Sequence, residues 1–328
     1  MKKVLITGAY GYLGARLSKF LAEKSFKVSV FGKYYPEGYN DWFSLMEEVI
    51  IGDIRDEDSI KKLAKKKFDI VIHLISLDHK RSEDKPNFVS SINVMPTWNL
   101  LDKLTKTGIE KFIYFSTIQV YGRVKDMIIS EDHQPKPLNA YGLTHLLSEN
   151  ICSYYNENTE TECVNVRLSN SYGSPVFFEN NCWWLVINDF CRTSFNQKRI
   201  TLTSDGTSLR DFIHIKDVCS SIEALLNSDR ESKKYNTYNI SSGATLTILE
   251  LAEAVKHLYE LRYNQEIPIV FQYEKKLEPN KKSLKYVKYC IDNSRLKDMG
   301  FSPQIDLTTG LNEVFDFLEK NSQRLLIY

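Results

Sequence analysis

The 328-residue chain lacks several features that would point to particular functions. No apolar run approaches the ~20 residues a membrane span needs, so no membrane association is expected. The histidines show no metal-ligand spacing, which argues against a zinc site, and no metal is expected. The cysteines, at positions 152, 163, 182, 191, 219 and 290, contain no CxxC pair. With no signal-like leader, they are expected to be reduced thiols in a cytoplasmic protein. Net charge is nearly absent: 43 basic against 42 acidic residues leave +1. That removes the electrostatic argument for nucleic acid as a partner. The lysine-rich runs at 61–67 and from Lys275 to Lys288 read as solvated faces. There is no internal repeat and no low-complexity linker. The length suits one large α/β domain or two smaller ones with ample core.

What is present is organised around Met1 to Lys24. Lys3 to Thr7 is a short, β-branched apolar run that reads as a buried strand. Gly8, Gly11 and Gly14 follow at spacings of three, and Leu13, Leu17, Phe20 and Leu21 then repeat at helical spacing. Strand, glycine turn and helix form a dinucleotide-binding arrangement. Glycines let the backbone approach a pyrophosphate, and the helix N-terminus offers unpaired N–H groups. Val28–Phe31 reads as a second strand. At its end, where a carboxylate normally holds the adenosine ribose of NAD, stand Gly32 and Lys33. Lys33 is either a partner for the 2′-phosphate of NADP or a solvent-facing lysine. Val49–Ile51 is a third strand leading to Asp53 and Ile54, with Asp53 a candidate for the adenine amino group or a turn residue.

Further strands are read at Asp69–Leu74, Lys111–Ser116 and Glu162–Leu168. Helices are read at Glu57–Lys67, Phe88–Thr105, Ala140–Asn156 and Leu246–Tyr259, the last with Thr247 as cap. Apolar strands alternating with helices predict an α/β fold: a doubly wound, mostly parallel, Rossmann-like sheet with both faces covered. Catalytic groups then belong at the carboxyl ends of the strands. Residues 1–170 are assigned to the dinucleotide-binding domain, with strands around 210–243 returning to it. Residues 171–328 form mainly a smaller C-terminal substrate domain. Trp183 and Trp184 there read as core packing or as a wall for a base or sugar.

Tyr141 and His145 lie one turn apart on one helical face, and Thr117 follows the fifth strand. With the glycine turn, these residues carry a resemblance. TGAYGYLG at 7–14, GDI at 52–54, HL at 73–74, Asn93, STIQVYG at 116–122, YGLTH at 141–145, RLSNSYG at 167–173 and RDFIHIKDV at 210–218 follow one another in family order. The chain resembles the extended short-chain dehydrogenase/reductase family of nucleotide-sugar epimerases, dehydratases and reductases.

By that resemblance Tyr141 is the general acid/base, Thr117 hydrogen-bonds the reacting sugar oxygen, and His145 holds the nicotinamide ribose where the family has lysine. Gly8, Tyr10, Gly11, Tyr12, Leu13 and Gly14 line the pyrophosphate, with Lys33, Asp53, Ile54, Leu74, Ile75, Ser76 and Asn93 around the rest of NAD or NADP. Asn170 and Arg210 resemble the residues that hold the substrate diphosphate, a role a planar guanidinium suits. A structural ion pair of Arg210 with Asp211 or Asp217 is the plain alternative. Ile118-Gln119 cannot shuttle a proton at neutral pH, unlike the Asp-Glu pair of similar 4,6-dehydratases.

The implied activity is oxidation of a sugar C4 hydroxyl by a nicotinamide cofactor, as in a C4 epimerase. A 4-keto-sugar reductase or a 4-dehydrogenase is the alternative. Because His145 is neutral at pH 7 unless its pKa is raised, slow turnover and a non-catalytic nucleotide-sugar binder also follow as readings. The helices at 88–105 and 140–156 match those that pair in family homodimers.

Overall fold

The computed structural model describes residues 1–123, 126–228, 235–272 and 288–325. Seven strands form one parallel sheet: β1 (Lys2–Thr7), β2 (Phe26–Gly32), β3 (Glu48–Ile51), β4 (Ile70–His73), β5 (Lys111–Thr117), β7 (Glu162–Leu168) and β11 (Thr237–Ile240). Between β5 and β7 in sequence lies the two-residue β6 (Ile128–Ile129). The sheet order is β11-β7-β5-β4-β1-β2-β3, so the chain reverses direction beside β1, where doubly wound sheets bind ligands. β1, β4 and β5 run through the centre, and their Val, Ile, Leu and Phe side chains are buried on both faces. That is why these segments read as continuous apolar runs.

Helix α1 (Tyr12–Ala22) packs its Leu17 and Leu21 into one face of the sheet. A short α2 (Asn40–Phe43) adds Trp42 and Phe43 there. On the other face lie α3 (Glu57–Ala64), α5 (Met95–Leu104) and part of α6 (Ala140–Asn158), around Ile60, Leu63, Leu100, Leu104 and Cys152. The expected single helix over 88–105 is two helices, α4 (Pro86–Asn93) and α5, broken at Val94 with φ −116° and ψ −57°. Pro96 in the first turn of α5 carries no N–H to continue the ladder from α4, which explains the break. α3 also ends at Ala64, short of the expected Lys67.

The second lobe contains β8 (Asn170–Tyr172), β9 (Ile200–Leu202), β10 (Leu209–His214), β12 (Thr245–Thr247), β13 (Ile269–Phe271) and β14 (Cys290–Ile291). β8, β10 and β12 form a three-stranded sheet, while β13 pairs with β9 and β14 with β6. Of the strands around 210–243, β11 joins the main sheet and β10 does not. Its helices are α7 (Val186–Gln197), α9 (Ile248–Tyr263) and α11 (Leu307–Lys320), packed around Phe190, Val255, Tyr259 and Phe315. α8 (Ile215–Asn227) instead lies on the main sheet's core, and the short α10 (Ser294–Lys297) and α12 (Ser322–Leu325) complete the chain. Leu246, expected inside a helix, belongs to β12. α9 starts after Thr247, which forms a reciprocal capping box with Glu250. Most of the Lys275–Lys288 run lies outside the described residues; Lys288 pairs with Glu250 at 2.9 Å.

Candidate active site

The glycine turn needs its glycines for two different reasons. Gly8 has φ +76°, a left-handed conformation that favours glycine. Its backbone also approaches the chain after β4, where an added Cβ would meet Ile75 and Leu74 at 3.2 Å. Gly14 is a matter of space: a Cβ there would lie 2.2 Å from the Gly8 carbonyl oxygen. α1 then begins with Gly11 as N-cap and no side chain on its first N–H groups. The backbone there is open to an anion. The turn is fastened to the second lobe by Tyr12, which donates to the Gly173 carbonyl at 2.9 Å, and by Asn180, which donates to the Tyr10 carbonyl at 2.8 Å. Arg16 donates to the Ser174 carbonyl at 2.6 Å. Tyr12 therefore acts here as a tether through its side chain, and Leu13 is half-buried beside the core.

The missing carboxylate at Gly32 has a steric explanation. A Cβ at Gly32 would stand 2.3 Å from the Tyr10 ring. Tyr10 fills the place where an acidic side chain would begin, and it packs edge-on against Trp42 and Phe43. Its phenol is buried without a partner, and burial pushes its pKa up to about 12. Beyond it, Asp53 holds two cations: Lys33 at 3.3 Å and Arg55, whose Nε and Nη2 both reach the carboxylate. Arg55 hydrogen bonds, foremost, hold the Asp53 carboxyl well below the usual range. Ile54 is buried beneath this group.

At the carboxyl ends of β4 and β5 the acid/base candidates converge. Thr117 ends β5; its hydroxyl accepts from Gln119 N at 3.2 Å and tempers the rise in the Tyr141 pKa. Tyr141 and His145 face the same side of α6, with ring centroids 4.5 Å apart. Desolvation pushes Tyr141 up to about 12 and His145 down to about 4, so the phenol is protonated and the imidazole neutral at pH 7. His145 Nδ1 lies 2.9 Å from the Tyr114 phenol oxygen, and its Nε2 is buried with no protein partner. On β4, His73 is bound through Nδ1 to Thr7 Oγ1 at 2.6 Å, and burial likewise pushes it down, to about 3. Leu74, Ile75 and Ser76 follow it, half-buried.

One turn past His145, Glu149 takes a two-pronged hydrogen bond from Arg167 of β7, at 3.0 and 2.7 Å, and another from Ser116 of β5. All three side chains are buried, so this pair locks the face of α6 that carries Tyr141 and His145 onto the sheet. Asn93, expected to touch the cofactor, uses its side chain to clasp three segments. Its Oδ1 accepts from Leu77 N at 2.8 Å, and its amide donates to Thr144 at 3.0 Å and Ser82 at 3.3 Å. Gln119 is likewise engaged, accepting from Asn139, the N-cap of α6, at 2.9 Å.

In the second lobe Asn170 donates to the Asp211 carbonyl at 2.8 Å. Arg210 is exposed, and its guanidinium donates to the Leu209 carbonyl at 2.7 Å. The ion pairs considered for it are engaged elsewhere: Asp211 accepts from Ser169 and the 242–244 backbone, and Asp217 from the backbone of Gln304 and Ile305. Trp183 packs on Phe178 and Phe317, while Trp184 is 42% exposed. Both border a cavity of about 760 Å³ with Lys80, Asp189, Arg192 and Ser204. Among the described residues, no three His, Cys, Asp or Glu side chains converge to hold a metal ion. Likewise, no described helix is long and apolar enough to cross a membrane.

Sheet order and glycine turn define a Rossmann-like α/β protein, with the Thr117–Tyr141–His145 group at its strand ends as the acid/base candidates. Residues 4–241 match the model of the NAD dependent epimerase/dehydratase family, and the chain belongs to that family of enzymes. It is 26% identical over 322 residues to a putative UDP-glucose 4-epimerase of Methanocaldococcus jannaschii, covering 98% of this chain and 99% of the relative. Among solved structures it is similar to the UDP-glucuronic acid 4-epimerase of Bacillus cereus in complex with UDP-glucuronic acid and NAD. That likeness has TM-score 0.77 and 25% identity, and covers 97% of this chain and 99% of that one. The UDP-glucose 4-epimerase of Thermotoga maritima with UDP-glucose shares the fold, with TM-score 0.81 and 22% identity over 98% of this chain and 99% of that one.

Proposed function

We propose that the chain is a nucleotide-sugar C4 epimerase working with a bound nicotinamide dinucleotide. The observation that carries this is Tyr141 and His145 side by side on α6, ring centroids 4.5 Å apart, together with Thr117 at the carboxyl end of β5 and a glycine turn that any Cβ at Gly14 would fill. The turn and the N-terminus of α1 hold the pyrophosphate, and His145 meets the nicotinamide ribose. When bound, the dinucleotide supplies reversible two-electron oxidation of the sugar C4 carbon. Tyr141 exchanges the C4 hydroxyl proton, and Thr117 holds that oxygen. Asn170 and Arg210 face the diphosphate, and the cavity walled by Trp184 takes the nucleoside end. The relatives named for UDP-sugar epimerisation and the NAD-bound neighbour support this reading.

A second reading, an NADP-linked 4-keto-sugar reductase, is favoured by two features. Lys33 and Arg55 together stand beside the position of the missing carboxylate. Tyr141 is held in its protonated form, the form that gives a proton to a ketone. The test is to denature the purified protein and identify released dinucleotide by mass spectrometry. Retained NAD supports the epimerase. A protein that carries none and takes up NADPH from solution supports the reductase. Failure to bind either refutes both.

A homodimer belongs to the same proposal. Phe88, Met95 and Trp98 on α4 and α5, and Leu143, Leu147 and Tyr154 on α6, leave large apolar side chains exposed on neighbouring helices. The cysteines are all unpaired, consistent with a cytoplasmic protein.

A further inference from the structure

The segment between β4 and α4 reaches from the dinucleotide-binding lobe to the wall of the cavity in the second lobe. Asn93 fixes both of its ends: Leu77 N donates to the Asn93 Oδ1 at 2.8 Å, and the Asn93 amide donates to Ser82 Oγ at 3.3 Å. Asp78 accepts from Arg81 N at 2.9 Å and pairs with its guanidinium at 3.8 Å, so those two charges offset each other inside the turn. At the tip the His79 ring packs against Trp184, with centroids 5.2 Å apart. The next residue, Lys80, lines the cavity together with three other charged side chains, Glu179, Asp189 and Arg192. Those three are already matched. Asp189 holds Arg192 at 2.6 Å, and Glu179 is paired with Arg324 and accepts from Tyr39. Lys80 is exposed and makes no ion pair among the described residues. It is therefore the one charge lining this cavity that lacks a counter-charge among them.

We propose that Lys80 is a substrate-binding residue whose ammonium takes a phosphate oxygen of the nucleotide-sugar diphosphate, from the lobe opposite Asn170 and Arg210. This rests on the function proposed above, in which the cavity takes the nucleoside end. The diphosphate is joined directly to that nucleoside and brings negative charge to a cavity whose own carboxylates are both neutralised. Lys80 is the charge left to meet it. An ammonium acts as a point charge and needs no planar partner, which suits a residue at the tip of a turn. Asn170 on β8 and Arg210 on β10 belong to the second lobe. With Lys80 the diphosphate is gripped from both lobes, and the His79–Trp184 contact keeps the turn where that grip can form.

The test is calorimetric titration of the full chain with UDP, dTDP and GDP, and separately with NADH, in wild type, Lys80→Gln and Lys80→Arg. Because Lys80 is exposed, its replacement leaves no buried group unpaired, and folding is expected to be unchanged. The nucleotide that wild type binds best is expected to bind Lys80→Gln about tenfold more weakly. Its affinity should also depend less on salt, since one charge pair is gone. Lys80→Arg is expected to recover most of the loss, and NADH should bind all three proteins alike. Unchanged nucleotide affinity in Lys80→Gln overturns the proposal. An equal loss for nucleotide and NADH, or a loss that Lys80→Arg does not recover, overturns it too, because either result would make Lys80 a structural residue. A wild type that binds none of the three nucleotides fails the underlying reading of the cavity and takes the proposal with it.

Discussion

His145→Lys places a permanent cation where the structure holds a neutral imidazole. Burial keeps His145 at about 4, so at pH 7 only about one molecule in a thousand carries the charge. The Tyr141 and His145 rings are 4.5 Å apart between centroids. A unit charge about 5 Å from the phenolate, at an effective dielectric of about 20, stabilises it by about 3 kcal/mol, or about 2 pKa units. Tyr141 starts near about 12 because its phenol is desolvated. On the proposed function the phenolate is the base that takes the C4 hydroxyl proton, so oxidation should speed up as pH rises through the Tyr141 pKa. Lowering that pKa moves the rising limb of kcat/KM down by about 2 pH units and raises the rate below it up to about 100-fold. The reverse reaction needs the phenol and should lose its alkaline end over the same interval. Lysine also forfeits the Tyr114 contact at a cost of about 1 kcal/mol, so folding is checked by thermal melting. A folded, dinucleotide-binding variant whose limb moves by less than about half a unit would refute the electrostatic account.

Arg167→Met leaves the buried Glu149 carboxylate unpaired and should cost about 3–5 kcal/mol in urea unfolding. Adding Glu149→Gln should recover part of it, and no recovery would argue against the pair. Gly14→Ala forces a Cβ against the Gly8 carbonyl, so it should destabilise by about 3 kcal/mol and abolish dinucleotide binding; a variant as stable as the parent would contradict the turn geometry. Lys33→Ala with Arg55→Ala should weaken NADPH at least about tenfold and leave NADH unchanged if these cations read a 2′-phosphate. Equal effects on both cofactors would remove the reductase reading. Trp98→Glu with Leu147→Glu should leave only monomer in sedimentation if the α5–α6 face pairs two chains.

The central strands were legible because β1, β4 and β5 are buried on both faces and so keep no polar alternation. The strands of two or three residues, β6, β8, β9, β12, β13 and β14, carry too few residues for any period to show. The break at Val94 was signalled by Pro96, but an apolar pattern continuing across it read as one helix. Thr117, Tyr141 and His145 stood out through motif order. Arg55 and Tyr114 gave no such signal. Arg55 matters only because Asp53 folds it back toward Lys33, and Tyr114 looks like one more interior strand residue until α6 sets His145 against it. The same holds for Gly32, whose missing carboxylate makes sense only once the Tyr10 ring is seen lying against it.

The most direct test of the central claim is to add nucleotide-sugars to the dinucleotide-loaded protein and watch the reduced-nicotinamide absorbance, in wild type and in Tyr141→Phe. The account predicts a substrate-dependent change in the wild type that Tyr141→Phe abolishes while still binding the dinucleotide. An undiminished change in Tyr141→Phe would contradict the assignment of Tyr141 as the acid/base.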